Sequence, residues 1–173
     1  TPHQGDVHHA FADFSPDGKT VFYATNEASE FDRVWAYDIA TQERKVVFQD
    51  DWDVTSYEFS EDGRFVVTTV NADARTKVRV FEAASGRELA LPEVGEGDVR
   101  GIVFENGSDR MAFYVSEDTS PSNLYVTELA RGAPRRLTDA RNPAIDPADL
   151  VDAEVVRYPS FDGLAIPALL YRP

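Results

Sequence analysis

Apolar and polar positions along this chain fall into short blocks that recur three times. Phe11-Ala-Asp-Phe-Ser-Pro-Asp-Gly18 returns as Ser56-Tyr-Glu-Phe-Ser-Glu-Asp-Gly63 and, more loosely, as Gly101-Ile-Val-Phe-Glu-Asn-Gly-Ser108. The anchors Phe14, Phe59 and Phe104 are spaced 45 residues apart. An apolar strand follows each turn: Thr20–Thr25, Phe65–Val70 and Arg110–Val115. A polar loop and a third strand come next (Arg33–Asp38, Lys77–Glu82, Ser122–Thr127). A turn of small and polar residues leads to a fourth strand, at Arg44–Phe48, Glu88–Leu91 and Pro134–Thr138.

Four β-branched and aromatic strands in a repeat of about 45 residues are the signature of a propeller blade. The turn chemistry agrees. In Ser15-Pro16-Asp17-Gly18, Pro pre-sets the first central position, and Gly follows where a type I turn with a bulge prefers it. The strands are nearly continuous apolar runs, as expected when both faces of a blade meet neighbouring blades. A sandwich with similar strand spacing is the alternative, but it gives no reason for three matches in register. The expectation is an all-β chain, a partial β-propeller of about three four-stranded blades. Helix is expected only as a short turn near Asp146–Leu150.

The chain closes on Val155–Pro173, VVRYPSFDGLAIPALLYRP, which reads as two strands around an Asp162-Gly163 turn. Asn142-Pro143 and Asp146-Pro147 punctuate the approach to it. Three blades are too few to close a ring. The expected organisation is the end of a preceding blade or a linker at 1–10, blades at 11–54, 55–99 and 100–141, a linker at 142–153, and the start of a further domain at 154–173. Thr1-Pro2-His3 corresponds to Thr138-Asp139-Ala140 in the repeat, so an earlier blade is expected before it and the N-terminus is expected to be cut. Exposed blade faces on such a piece would favour self-association.

Composition narrows the function. With 42% apolar and 12% aromatic residues, a packed core is expected rather than disorder. No apolar run approaches ~20 residues, so no membrane span is expected. No basic-then-apolar leader opens the chain either, which favours a cytoplasmic location. The absence of cysteine excludes disulfides, thiolate zinc sites and a cysteine nucleophile. The net charge is −14, from 31 acidic residues against 14 Arg and only Lys19, Lys45 and Lys77. Such a surface repels phosphate backbones, so no nucleic-acid partner is expected. Acid-rich, Lys-poor composition also resembles that of proteins from high-salt cytoplasm.

The FSPDG-type repeat together with Tyr158-Pro-Ser-Phe-Asp-Gly-Leu-Ala-Ile-Pro167 resembles the prolyl oligopeptidase family of serine peptidases. Its dipeptidyl and acylaminoacyl peptidase branches look most similar. The resemblance implies a propeller followed by an α/β-hydrolase domain, whose first strands would be the exit hairpin. It implies that the catalytic domain is missing here and that the propeller limits entry to short peptides. The innermost strands would then line the channel, with Asp13 and Glu58 as its polar candidates. A non-enzymatic, TolB-like interaction propeller shares the blade motif but does not need the hairpin.

Catalytic residues are not expected in this chain. A hydrolase of this kind needs G-x-S-x-G followed by an acid and a histidine. Gly107-Ser108-Asp109 is the nearest sequence and falls in a turn, as does Ser85-Gly86. The only histidines, His3, His8 and His9, precede any such serine. Neighbouring His8 and His9 would point to opposite faces of a strand, so they suit one metal ion poorly. The run Asp50-Asp51-Trp52-Asp53 lacks the Gly and Glu of a calcium loop. Trp35, Tyr37 and Phe81 read as packing between blades rather than a ligand platform. No cofactor and no metal is expected.

Overall fold

The computed structural model describes residues 5–94, 97–129 and 131–172. The stretch of residues 1–4, and with it His3 and the first four residues of the expected preceding-blade segment, lies outside the described residues. Three antiparallel four-stranded sheets and one hairpin are formed among the described residues. The first sheet runs in order β1 (His9–Phe14), β2 (Thr20–Thr25), β3 (Arg33–Asp38) and β4 (Arg44–Phe48). The second contains β5 (Val54–Phe59), β6 (Phe65–Ala72), β7 (Arg75–Glu82) and β8 (Glu88–Leu89). The third contains β9 (Asp98–Phe104), β10 (Arg110–Glu117), β11 (Ser120–Glu128) and β12 (Arg131–Arg136). A 3₁₀ turn, Pro147–Asp149, precedes the hairpin of β13 (Glu154–Pro159) and β14 (Ala165–Leu170). The fold class read from the repeat is the one observed.

Two compact units divide the chain. One holds the residues up to Asn71 together with Lys77–Leu91. The other holds Ala72–Thr76 and everything from Pro92 onward.

In the first unit, the innermost strand of one blade packs on the next. Phe22 of β2, 8% exposed, stacks on Tyr57 at 5.1 Å and meets Phe59 at 5.2 Å, both on β5. Val34, Val54, Val70 and Val80 fill the space behind them and are almost wholly buried. Burying one Phe removes enough apolar surface to stabilise by about 2–3 kcal/mol. Polar contacts fix the register of that packing. A bulge between Phe11 and Asp13 turns the Asp13 side chain toward the next blade. Its Oδ2 accepts the Phe59 amide at 2.8 Å, while Oδ1 accepts the Phe14 amide at 2.7 Å.

The second unit has its own core of Phe104, Met111, Phe113 and Val115. Phe113 stacks on Tyr125 with centroids 5.9 Å apart. Asn123 is buried beside them, and all its hydrogen-bonding groups are used. Its Nδ2 donates to Ser120 Oγ and the Pro121 carbonyl, and its Oδ1 accepts from Thr138 Oγ1 and the Ala140 amide. A buried amide satisfied in this way fixes one path for the chain leaving β12.

The turns explain the weak third repeat. In the first two blades a serine carbonyl accepts the amide of the glycine three residues on, Gly18 to Ser15 and Gly63 to Ser60, each at 2.8 Å. The serine hydroxyl donates to the intervening aspartate at 2.7 Å in both. In the third blade the left-handed residue is Gly107, one position earlier, and the Ser108 amide bonds back to Glu105. A glycine at that place is what a type II turn requires. The motif is therefore replaced by a different turn, not eroded.

Gly18 and Gly63 provide a controlled comparison. Both have φ of +70°, but a Cβ on Gly18 meets nothing within 4 Å, whereas one on Gly63 falls 2.5 Å from Pro16 Cγ and 2.9 Å from Pro16 Cβ. The Pro16 ring of the first blade thus rests against the second blade's turn. Gly18→Ala is expected to cost about 1–2 kcal/mol, the left-handed term alone. Gly63→Ala is expected to cost at least about 1 kcal/mol more, through the clash. Urea unfolding of both variants checks this; equal losses contradict the blade-to-blade contact.

Candidate functional site

The side chains that sequence reasoning singled out are dispersed among packing and turn roles. His8 Nδ1 lies 3.1 Å from Asp32 Oδ2, and its amide donates to Asn26 Oδ1, whereas the ring of His9 lies beside Tyr23. Ser108 Oγ accepts the Arg110 amide at 3.1 Å. Ser85 Oγ donates to Glu82 and accepts the Arg87 amide. Both hydroxyls are engaged in their own turns. Within the acidic run, Asp50 pairs with Arg79, and Asp53 Oδ1 accepts the Asp32 amide at 3.0 Å. Among the described residues, no three His, Asp or Glu side chains are grouped to hold a metal ion.

Trp35 lies under the Arg44 guanidinium, and Phe81 packs on Phe48 with Arg79 above both rings. Hydrogen bonding to both carboxylate oxygens of Glu27 holds the Arg44 proton more firmly than usual. Tyr37 lines an apolar groove with Val21, Tyr23 and His9 on the first blade. Asp13 is occupied as a clasp, while Glu58 is exposed on a cavity of about 360 Å³ that Phe11, Asp32 and Asp53 also line.

A different set of residues converges where the third blade passes into the hairpin. Asp118, in the β10–β11 turn, is 12% exposed and is the hub. Arg75 Nη2 donates to its Oδ2 at 2.7 Å and Nη1 approaches Oδ1 at 3.4 Å. The Ala153 amide donates to Oδ2 at 3.0 Å, and Tyr171 Oη to Oδ1 at 2.9 Å. Nearby, the Arg157 guanidinium on β13 bonds both carboxylate oxygens of Asp73. One side chain thus gathers the Ala72–Thr76 segment, the linker before β13 and the residue after β14. Reasoning from sequence missed these residues. The only signal for them was that Arg157 and Tyr171 belong to the exit motif.

The hairpin itself is built as its sequence indicates. The Gly163 amide returns to the Ser160 carbonyl at 3.0 Å, and Asp162 Oδ1 accepts the Leu164 amide at 3.1 Å. The register runs without a shift from Glu154 opposite Leu170 to Pro159 opposite Ala165. Phe161 at the turn and Leu164 beside it are exposed.

Neither a family model nor a curated protein matches the sequence. Solved structures do match. One comes from a study of two prolyl endopeptidases and of inter-domain dynamics in their catalysis and specificity. It aligns with a TM-score of 0.72 at 20% identity, over 93% of this chain and 24% of that one. Another is prolyl oligopeptidase B from Galerina marginata, bound to a 35mer substrate, with a TM-score of 0.71 at 16% identity, over 95% of this chain and 24% of that one. The fold is that of a prolyl oligopeptidase segment. The chain spans about a quarter of the length of these structures.

In this segment the hub is an electrostatic anchor with a defined pH range. The Arg75 hydrogen bond, helped by the Ala153 amide and the Tyr171 hydroxyl, holds the Asp118 carboxyl down at about 2. The same contacts raise the pKa of Arg75 and of Tyr171. An unfolded Asp takes up its proton near pH 4, about two units above the folded one. As pH falls, the unfolded state therefore gains the proton first. The anchor's contribution, about 2 kcal/mol, is complete above about pH 4, declines toward about pH 2 and is lost below that. The difference in unfolding free energy between the wild-type chain and Asp118→Asn is expected to shrink through that window. A difference independent of pH contradicts the anchor.

Proposed function

We propose that this chain is the propeller segment of a prolyl oligopeptidase-like serine peptidase that hydrolyses short peptides. In this reading the segment gates substrate entry and is not catalytic by itself. The peptidase reaction, acyl transfer to water through a serine nucleophile, belongs to an α/β-hydrolase domain that β13 and β14 open. The dipeptidyl and acylaminoacyl peptidase branches suit the exit motif best.

The observation that carries this reading is the β13–β14 hairpin. It bears Tyr158-Pro-Ser-Phe-Asp-Gly-Leu-Ala-Ile-Pro167 and follows, after a linker, on four-stranded blades whose fold matches prolyl oligopeptidase structures. A propeller acting only as an interaction module has no need of it. The engaged hydroxyls of Ser85 and Ser108 support assigning the chemistry elsewhere. The gating role is the one the resemblance to that family implies, a propeller that admits short peptides and excludes folded chains.

Two assays test the proposal. The chain by itself is expected to show no esterase or aminopeptidase activity above background; turnover abolished by Ser108→Ala would overturn the assignment. Joined to its natural downstream sequence, it is expected to restrict cleavage to short peptides. Equal cleavage of long and short peptides, with and without the propeller, would remove the gating role.

A further inference from the structure

The turn between β6 and β7 is made by Asp73 and Ala74, with φ of 58° and 62°. Two consecutive left-handed residues are the mark of a tight hairpin turn that normally takes Asn-Gly or Asp-Gly. Alanine adopts this conformation only at a cost, because its Cβ crowds the backbone. Such strain persists where the surroundings over-determine it. Here they do. Asp73 is held by Arg157, and Arg75 is held by Asp118. The Thr76 amide donates to Asp98 Oδ1 at 2.9 Å. Three of the five residues from Ala72 to Thr76 are thus tied to β13, to the β10–β11 turn and to the start of β9.

The two charge pairs differ in their exposure. Arg157 and Asp73 are 54% and 35% exposed, whereas Arg75 and Asp118 are 22% and 12% exposed. Salt screens exposed pairs strongly and partly buried ones much less. A two-stranded hairpin is marginally stable alone, so its order depends on what it is tied to. The hairpin's ties to this seat are polar: Arg157 on β13, the Ala153 amide just before it, and Tyr171 just after β14.

We propose that the strained Asp73–Ala74 turn is the seat of a latch. Its outer pair, Asp73–Arg157, and inner pair, Arg75–Asp118, hold the β13–β14 hairpin, and breaking the outer pair loosens the hairpin while the blades stay folded. The latch is a property of this chain alone. Only its consequence, setting how freely a hydrolase domain moves on the propeller, rests on the function proposed above.

Amide hydrogen exchange on the 173-residue chain tests the latch. Arg157→Ala and Asp73→Asn are each expected to speed exchange across residues 154–170 about tenfold, with β1–β5 and β9–β11 unchanged. Raising KCl to about 1 M is expected to do the same to the wild-type chain, and to add little in either variant. The double exchange Asp73→Arg with Arg157→Asp is expected to restore protection. Ala74→Gly, which relaxes the turn and keeps every charge, is expected to retain it. Hairpin protection that is indifferent to Arg157→Ala and to salt overturns the latch, as does a swap that fails to restore protection while the blades remain folded. No peptidase assay enters this test, so its failure and the failure of the proposed function are distinguishable.

Discussion

A four-stranded blade with apolar residues on both faces cannot cover them by itself, and on the first blade the covering is done by the innermost strand of the second. Phe22 is buried with Tyr57 and Phe59 of the next blade against it. Two contacts set the register of those rings. The bulge at Asp13 aims a carboxylate at the Phe59 amide, and the Pro16 ring settles on the one residue type, Gly63, that leaves room for it. The FSPDG-type motif is therefore more than a turn signal. It holds both halves of the contact between the first blade and the second.

The same need for a partner applies to the exit hairpin, but the solution is different in kind. Two strands offer too little apolar surface to dock by burial. The hairpin is held through an aspartate that gathers an arginine, an amide and a phenol, and through a second ion pair nearer solvent. Apolar packing is indifferent to salt screening and to carboxylate protonation; this junction is sensitive to both.

The repeat made most of the blade architecture legible. Strands β2, β3 and β4 run where the pattern of apolar residues put them, because those residues are set by local periodicity and by turns within a few positions. The differences lie at strand ends: β8 stops at Leu89 rather than Leu91, β12 runs over Arg131–Arg136 rather than Pro134–Thr138, and others fall at hairpin tips. The polar stretch before Lys77 was read as a loop, yet β6 and β7 continue to Ala72 and from Arg75, since a two-residue left-handed turn lets strand pairing run on through polar side chains. Pairing similarly extends β10 and β11 beyond their apolar cores to Glu117 and from Ser120. Asp118 could not be recognised at all. It looks like any acidic turn residue, and its partners Ala153, Arg75 and Tyr171 lie 35, 43 and 53 residues away along the chain. Periodicity reveals which face of a strand is buried; it carries no information about which distant charge a turn will meet.

The account rests on reading the β13–β14 hairpin as a junction between a propeller and a hydrolase domain. The most direct measurement is the coding sequence of the native gene beyond Pro173. The account predicts an HGG-type segment followed by G-x-S-x-G, the oxyanion and nucleophile elements of that domain. A stop codon directly after Pro173 would contradict it.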